Sequence, residues 1–297
     1  MVIDVRWGSA THHGRVRDHN EDSLLAGPDV FAVADGMGGH AAGEVASAIA
    51  VAGLAALDDL PTAEDPVARV VRALEGINAE IRRRAGADRA ATGMATTVAG
   101  VARVAGARLL VFNLGDSRVY RSRRGHLVQL TDDHSLVGEL VRSGAITEDE
   151  ATRHPHRNVV TRALGVEAEI APIVRVIDVE VGDCFLVASD GLSNELPASQ
   201  IGDLLATPGT VERRARALLD AARFRGARDD VSVVVVAIAG MSEHDGLEVD
   251  TSPSTPRSEP DQEPATHTPD RSTPLITAVP GSSLRAAAPV DTRSPSR

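Results

Sequence analysis

Four apolar strands in this sequence carry an aspartate at one end, and that repetition is its strongest chemical signal. Phe31-Ala-Val-Ala-Asp35-Gly36 and Phe185-Leu-Val-Ala-Ser-Asp190-Gly191 finish in Asp-Gly, Leu109 to Asp116 is a longer variant, and Asp229-Asp230 stands directly before the strand Val231 to Val236. One Asp-Gly alone is an ordinary turn pair. Four strand-end acids are different: if the ends share one edge, their carboxylates converge and repel at short range. A multivalent cation removes that repulsion. All-oxygen ligation suits a hard ion, Mg²⁺ or Mn²⁺, and no Cys/His cluster has zinc spacing. The glycine after Asp35 lets the backbone approach closely and offer its carbonyl.

The elements that must position these acids follow from hydrophobic periodicity. Apolar, β-branched runs predict strands at Val30–Ala34, Thr96–Val104, Arg108–Asn113, Arg118–Ser122, His126–Leu130, Val174–Val179, Cys184–Ala188 and Val231–Ile238. His40 to Leu57 is apolar nearly all round, as in a buried helix. Val67, Val70, Val71, Leu74, Ile77 and Ile81 form one face of an amphipathic helix that ends in Arg82-Arg83-Arg84. Thr147-Glu-Asp-Glu150 is a capping-box signature for a further short helix. Strands and helices cluster rather than alternate, which favours α+β over a doubly wound parallel sheet.

Composition excludes several chemistries. All 31 basic residues are arginine, so no lysine can serve a phosphate-binding P-loop, a protein kinase strand or a pyridoxal Schiff base. The net charge of -11, with no basic stripe, argues against nucleic acid. The lone Cys184 excludes an intrachain disulfide framework. Met1 to Gly14 lacks the apolar core of a signal peptide, and the run Val231 to Met241 falls short of the roughly 20 residues that span a bilayer. A soluble, cytoplasmic monomer is expected. After about Gly240 the chain turns to Pro, Ser and Thr with few large apolar residues, which predicts a folded domain over 1–240 and a disordered tail over 241–297.

The motifs fall in a recognisable order: Arg17-Asp-His-Asn20-Glu21-Asp22, Val33-Ala-Asp35-Gly-Met-Gly-Gly39-His40, Ala95-Thr-Thr97, Asn113-Leu-Gly-Asp116-Ser-Arg118, Leu130-Thr-Asp-Asp-His134-Ser135, Ala188-Ser-Asp190-Gly191-Leu192 and Arg228-Asp229-Asp230-Val231-Ser232. In this order they resemble the metal-dependent serine/threonine protein phosphatases of the protein phosphatase 2C type, in their bacterial form. The resemblance implies a β-sandwich of two antiparallel sheets flanked by helices on both faces. It also implies two Mn²⁺ or Mg²⁺ ions at one end of the sandwich. By the same resemblance Asp35 bridges both ions, the Gly36 carbonyl binds the second, Asp190 and Asp229 bind the first, and Asp22 holds the second through water. Asp116 would serve a third ion and Arg17 the substrate phosphate. The implied reaction is hydrolysis of phosphoserine and phosphothreonine in proteins by a metal-bridging hydroxide, opposing a bacterial Ser/Thr kinase. His40 is a candidate general acid for the leaving oxygen. Two positions depart from the pattern: Asn194, where many relatives carry an acid near the third ion, and Asp230, where Asn is usual. That spare carboxylate either tightens metal binding or faces solvent.

Other readings are weaker. Cysteine phosphatases need Cys-x5-Arg, but Asp190 stands six residues after Cys184, which leaves the thiol as a core residue. Gly36-x-Gly38-x-x-Ala41 with Asp58 satisfies a relaxed dinucleotide fingerprint, yet Asp35 would place a carboxylate beside the pyrophosphate. A binding module of the same fold without catalysis has no need of Asp35, Asp190, Asp229 and Arg17 together. His154 and His156 have no acid partners at ligand spacing, and His134 reads as structural.

Overall fold

The computed structural model describes residues 2–16, 18–38, 42–57, 60–88, 91–242 and the backbone of 275–277. Its β-branched and aromatic runs pair into two antiparallel sheets. One has the order β1 (Val2–His12), β11 (Val231–Ser242), β10 (Cys184–Ala188), β7 (Arg118–Arg123), β8 (His126–Gln129). The other runs β12 (Leu275–Thr277), β2 (Asp22–Ala26), β3 (Val30–Met37), β5 (Val98–Val104), β6 (Arg108–Leu114), β9 (Ile173–Asp178), with β4 (Ala95–Thr96) paired to the end of β3.

The pleat explains why β3, β5, β6, β10 and β11 read as unbroken apolar runs, since both faces of each are buried over most of its length. Phe31 and Val33 of β3 point between the sheets, where they meet Val101, Val111, Phe185, Val187, Val234 and Val236. Ala32 and Ala34 point outward into a second core beneath α1 (Ala42–Ala55) and α2 (Pro66–Ala87), packed with Ala46, Ala50, Leu54, Val70 and Leu74. On the opposite outer face Leu186, Val233 and Val235 lie under α6 (Ala198–Ala206) and α7 (Val211–Arg225), against Ile201, Leu218 and Leu219. The result is the helix-flanked antiparallel sandwich expected from the motifs. The sole tryptophan, Trp7 of β1, tilts against Phe31 with ring centroids 5.6 Å apart, joining one sheet to the other.

Several boundaries differ from the sequence reading. β1 and β2 were not expected; β1 does alternate, with Ile3 and Val5 inward, but Asp4 and Gly8 dilute the pattern. The amphipathic helix continues past its three arginines to Ala87, because Arg83 and Arg84 pair with Glu80 on the same face and Arg82 donates to the Val166 carbonyl. Asp65 caps its start by accepting from the Ala68 amide. The capping box at Thr147 is present and opens α4 (Glu148–Arg153). β11 runs two residues beyond Gly240. Of the tail, only Leu275–Thr277 is described, paired antiparallel with β2; the expectation for the rest lies outside the described residues. Among the described residues no helix is long and apolar enough to cross a membrane.

Phe31 is fully buried between the sheets. Phe31→Ala should therefore cost about 3–5 kcal/mol of stability. Denaturant unfolding followed by Trp7 emission measures this, and a loss below about 1 kcal/mol would place Phe31 outside the load of the inter-sheet core.

Candidate metal centre

Each acid is delivered by a strand end, and hydrogen bonds from neighbouring residues hold several of them there. Asp35 lies near the end of β3, its amide donating to Thr97 Oγ1 (3.1 Å) and its carbonyl accepting from the Thr97 amide (2.9 Å) and Thr96 Oγ1 (2.9 Å). Asp22 opens β2 opposite Asp35 in the ladder, and one of its oxygens accepts from Ser189 Oγ at 2.8 Å. Asp190 follows β10 and begins the single turn α5 (Asp190–Ser193). Asp116 follows β6 in a turn held by His134, whose Nδ1 accepts from the Gly115 amide at 3.1 Å. Asp229 lies just before β11.

Gly36 shows why glycine must follow Asp35. A Cβ there would lie 2.1 Å from the Gly43 carbonyl oxygen and 2.6 Å from that of Glu21, so no side chain fits where α1 crosses β3. The Gly36 amide donates to Glu21 (3.1 Å), which ties this backbone to the start of β2.

The acids meet across one cleft. Burial raises Asp35 well above the usual carboxylate range, and Asp22, Asp190, Asp116 and Asp229 each push it further. Asp22 is raised by burial and then by Asp230; Asp190 by burial and then by Asp229. Asp116 reaches about 8 through burial and the nearby charges of Asp190 and Asp133. The neighbouring Asp35 and Asn194 side chains lower Asp190 again, without cancelling the rise. Among the described residues no three acids close on one point at ligating distance, so the arrangement is a ring of acids around a cleft.

Two buried oxygens, Asp22 Oδ1 and Asp190 Oδ1, have no hydrogen-bond partner among the described residues. A buried carboxylate oxygen without a partner is costly. Both defects disappear if a hard cation takes the lone pairs, so the donor set fits Mn²⁺ or Mg²⁺. Beside the ring opens a cavity of about 380 Å³ lined by Val16, Arg157, Asn158, Asn194, Arg228 and Asp229, among others. A larger groove of about 590 Å³ runs along β1 and contains none of the strand-end acids.

Arg17, His40 and Asp58 lie outside the described residues. Asn194 donates its amide to Asp190 Oδ2 (3.0 Å), so it orients an acid of the ring instead of adding a charge. Asp230 does not face solvent: it is 3% exposed, and its carboxylate accepts from the Gly14 and Glu21 amides at 2.8 and 2.7 Å. His134 is buried in a structural role, as expected. Cys184 is buried in β10 with Arg214 Nη1 3.7 Å from its sulfur, and burial raises its thiol. The sequence reading missed Arg118, which grips Asp133 with both Nε and Nη2 and lowers Asp116 and Asp190 by its charge. It also missed Ser189, although a hydroxyl residue directly before Asp190 was the signal.

Comparison with known proteins identifies the family. The family model described as protein phosphatase 2C matches residues 10–224, and the chain belongs to that family. It is 39% identical over 238 residues to the serine/threonine protein phosphatase PstP of Mycobacterium tuberculosis, covering 80% of this chain and 46% of that one, so it spans about half of that relative's length. It is 37% identical over 235 residues to the serine/threonine phosphatase stp of Listeria monocytogenes, covering 76% of this chain and 93% of that protein. The crystal structure of the M. tuberculosis phosphatase PstP/Ppp superimposes with a TM-score of 0.76 over 80% of this chain and 99% of that one. A catalytic domain of PstP in complex with two manganese ions gives 0.75 at 37% identity, over 81% of this chain and all of that one.

The acids of the ring titrate higher in the folded chain than in the unfolded one, where they ionise near pH 4. The metal-free fold therefore holds protons that the unfolded chain releases, and this contribution is complete below about pH 4 and lost as pH rises through the folded values, up to about 8 for Asp116. With chelator, the thermal midpoint should fall from pH 5 to pH 8; Mn²⁺ should raise it markedly at pH 8 and little at pH 5. A Mn²⁺ effect of equal size at both pH values, measured by thermal melts, would contradict the assignment of the ring.

Proposed function

We propose that the chain hydrolyses phosphoserine and phosphothreonine in proteins with the help of two Mn²⁺ or Mg²⁺ ions, and that in the cell it opposes a Ser/Thr kinase in the cytoplasm. The observation that carries this reading is the ring of five aspartates with two orphaned oxygens in a member of the protein phosphatase 2C family. Asp35, the Gly36 carbonyl, Asp190 and Asp229 would hold the two ions, Asp22 would act through water, and Asp116 would serve a third. When bound, such ions lower the pKa of water toward neutrality and neutralise charge on phosphoryl oxygens.

The chain's own groups do the positioning. Thr97 and Ser189 fix the acids from behind, so the ring need not reorganise as charge develops at the phosphorus. Arg118, paired with Asp133, supplies a fixed positive charge behind Asp116 and Asp190. Arg17 would fork two phosphate oxygens, and His40 would give the leaving serine or threonine oxygen its proton. Arg157 and Arg228 line the adjoining cavity and suit a polyanionic, phosphorylated polypeptide. We place the catalytic unit in residues 1–242, since β11 ends at Ser242.

Hydrolysis of para-nitrophenyl phosphate should require Mn²⁺, stop on chelation and resist vanadate. Asp190→Ala should lower kcat/KM by about 10²–10³-fold, the scale of losing one electrostatic stabiliser. If that variant keeps full activity, the metal assignment is wrong. Truncation after Ser242 should leave turnover of the small ester within about twofold of the full chain, a change too small to register as a lost interaction; a large drop would place tail residues in the catalytic unit.

A further inference from the structure

Asp230 takes part in none of the roles assigned so far, although it is a buried acid beside a ring of acids. A carboxylate in that position is unfavourable by itself, because its charge adds to the repulsion already felt by Asp22. What it gains is two backbone amides. Gly14 N–H donates to one of its oxygens at 2.8 Å and Glu21 N–H to the other at 2.7 Å. These two residues are the ends of one loop, residues 14–21, which leaves β1 and returns as β2.

The surrounding contacts fasten the same loop to the same place. The Arg15 amide donates to the Ala227 carbonyl (2.8 Å), and Thr11 and Ser232 share a hydroxyl hydrogen bond of 2.7 Å. Asn20 donates to Thr11 Oγ1 (2.8 Å) and accepts from the Asp22 amide (3.0 Å). Gly14 lies so close to the strand entry that a Cβ on it would stand 2.5 Å from the Arg228 carbonyl oxygen. On the far side the Glu21 carbonyl accepts from the Gly36 amide and from Ser47 Oγ (2.6 Å). Asp230 thus joins the neck of the loop to the residue next to Asp229, and through Glu21 to Asp22 and Gly36.

We propose that Asp230 is a positioning residue: it clamps both ends of the 14–21 loop so that the phosphate-binding group carried by the loop keeps its register with the metal ligands. The assignment rests on the phosphatase reading, in which that group is Arg17. An aspartate suits the task because both of its oxygens accept. The isosteric asparagine offers one acceptor and turns an N–H₂ toward the second amide.

The test is Asp230→Ala, which removes both acceptors, in the full chain at saturating Mn²⁺, so that metal occupancy matches the wild type. Hydrogen exchange at the Gly14 and Glu21 amides should rise about tenfold or more, since their opening is no longer opposed by a charged acceptor. The dissociation constant of inorganic phosphate should rise about tenfold, equivalent to about 1.4 kcal/mol. The KM for para-nitrophenyl phosphate should follow it while kcat stays within about threefold, as for a lost ground-state binding contact. Unchanged exchange at both amides would overturn the clamp. A Mn²⁺ dissociation constant that rises in step with that of phosphate would overturn it as well, since Asp230 would then act only as a charge on the metals. Asp230→Glu keeps the charge and displaces the carboxylate; it should weaken phosphate like the alanine variant, and wild-type phosphate affinity there counts against the proposal. A wild-type chain without Mn²⁺-dependent turnover would refute the phosphatase reading, while the exchange and phosphate measurements would still decide the clamp.

Discussion

Mutual repulsion among buried aspartates is the constraint around which this structure is arranged. Burial and neighbouring acids raise Asp22, Asp35, Asp116 and Asp190 together, and none can relax outward because each is fixed to a strand end. The β-sandwich makes such a ring possible. Its central strands are buried on both faces, between the sheets and beneath the helices, so their ends are held with little freedom. A stiff, apolar frame carries a concentrated negative charge that a looser scaffold would release by local unfolding. Cations are the complement to that stored repulsion, and the two orphaned oxygens mark where the protein alone leaves it unresolved.

Much of this was legible in the sequence because two strong signals coincide. Continuous β-branched runs located most strands, and β10 matches its expected span at both ends. Strand-end acids located the ring. The signal failed where tertiary packing outweighs local pattern. β2 is five residues long and starts with Asp22 and Ser23, so nothing in its composition announces a strand buried along its whole length. The amphipathic helix outruns its arginines because intrahelical pairs with Glu80 make them helix-stabilising rather than terminal. Asp230 was the sharpest failure, since both proposed fates ignored backbone amides brought from more than two hundred residues away.

The chain belongs to the protein phosphatase 2C family and superimposes on a manganese-bound relative with a TM-score of 0.75. Three side chains around the ring set its electrical balance. Asn194 replaces a charge with an amide that donates to Asp190, and Arg118 balances the same acid from behind. Both shift the local balance toward neutrality near Asp116 and Asp190, whereas Asp230 adds charge on the opposite side, near Asp22. The ring is thereby electrically lopsided.

His134 also has a mechanical meaning. Its ring accepts from the Gly115 amide, its own amide donates to the Gly115 carbonyl, and its carbonyl accepts from the Thr161 amide. The turn that carries Asp116 and the segment that passes Thr161 are therefore pinned to one residue. Asn158 and Arg157, a few positions upstream, form part of the cavity wall. One residue thus anchors both the Asp116 turn and the segment that leads from the cavity wall, so the two share a single point of attachment.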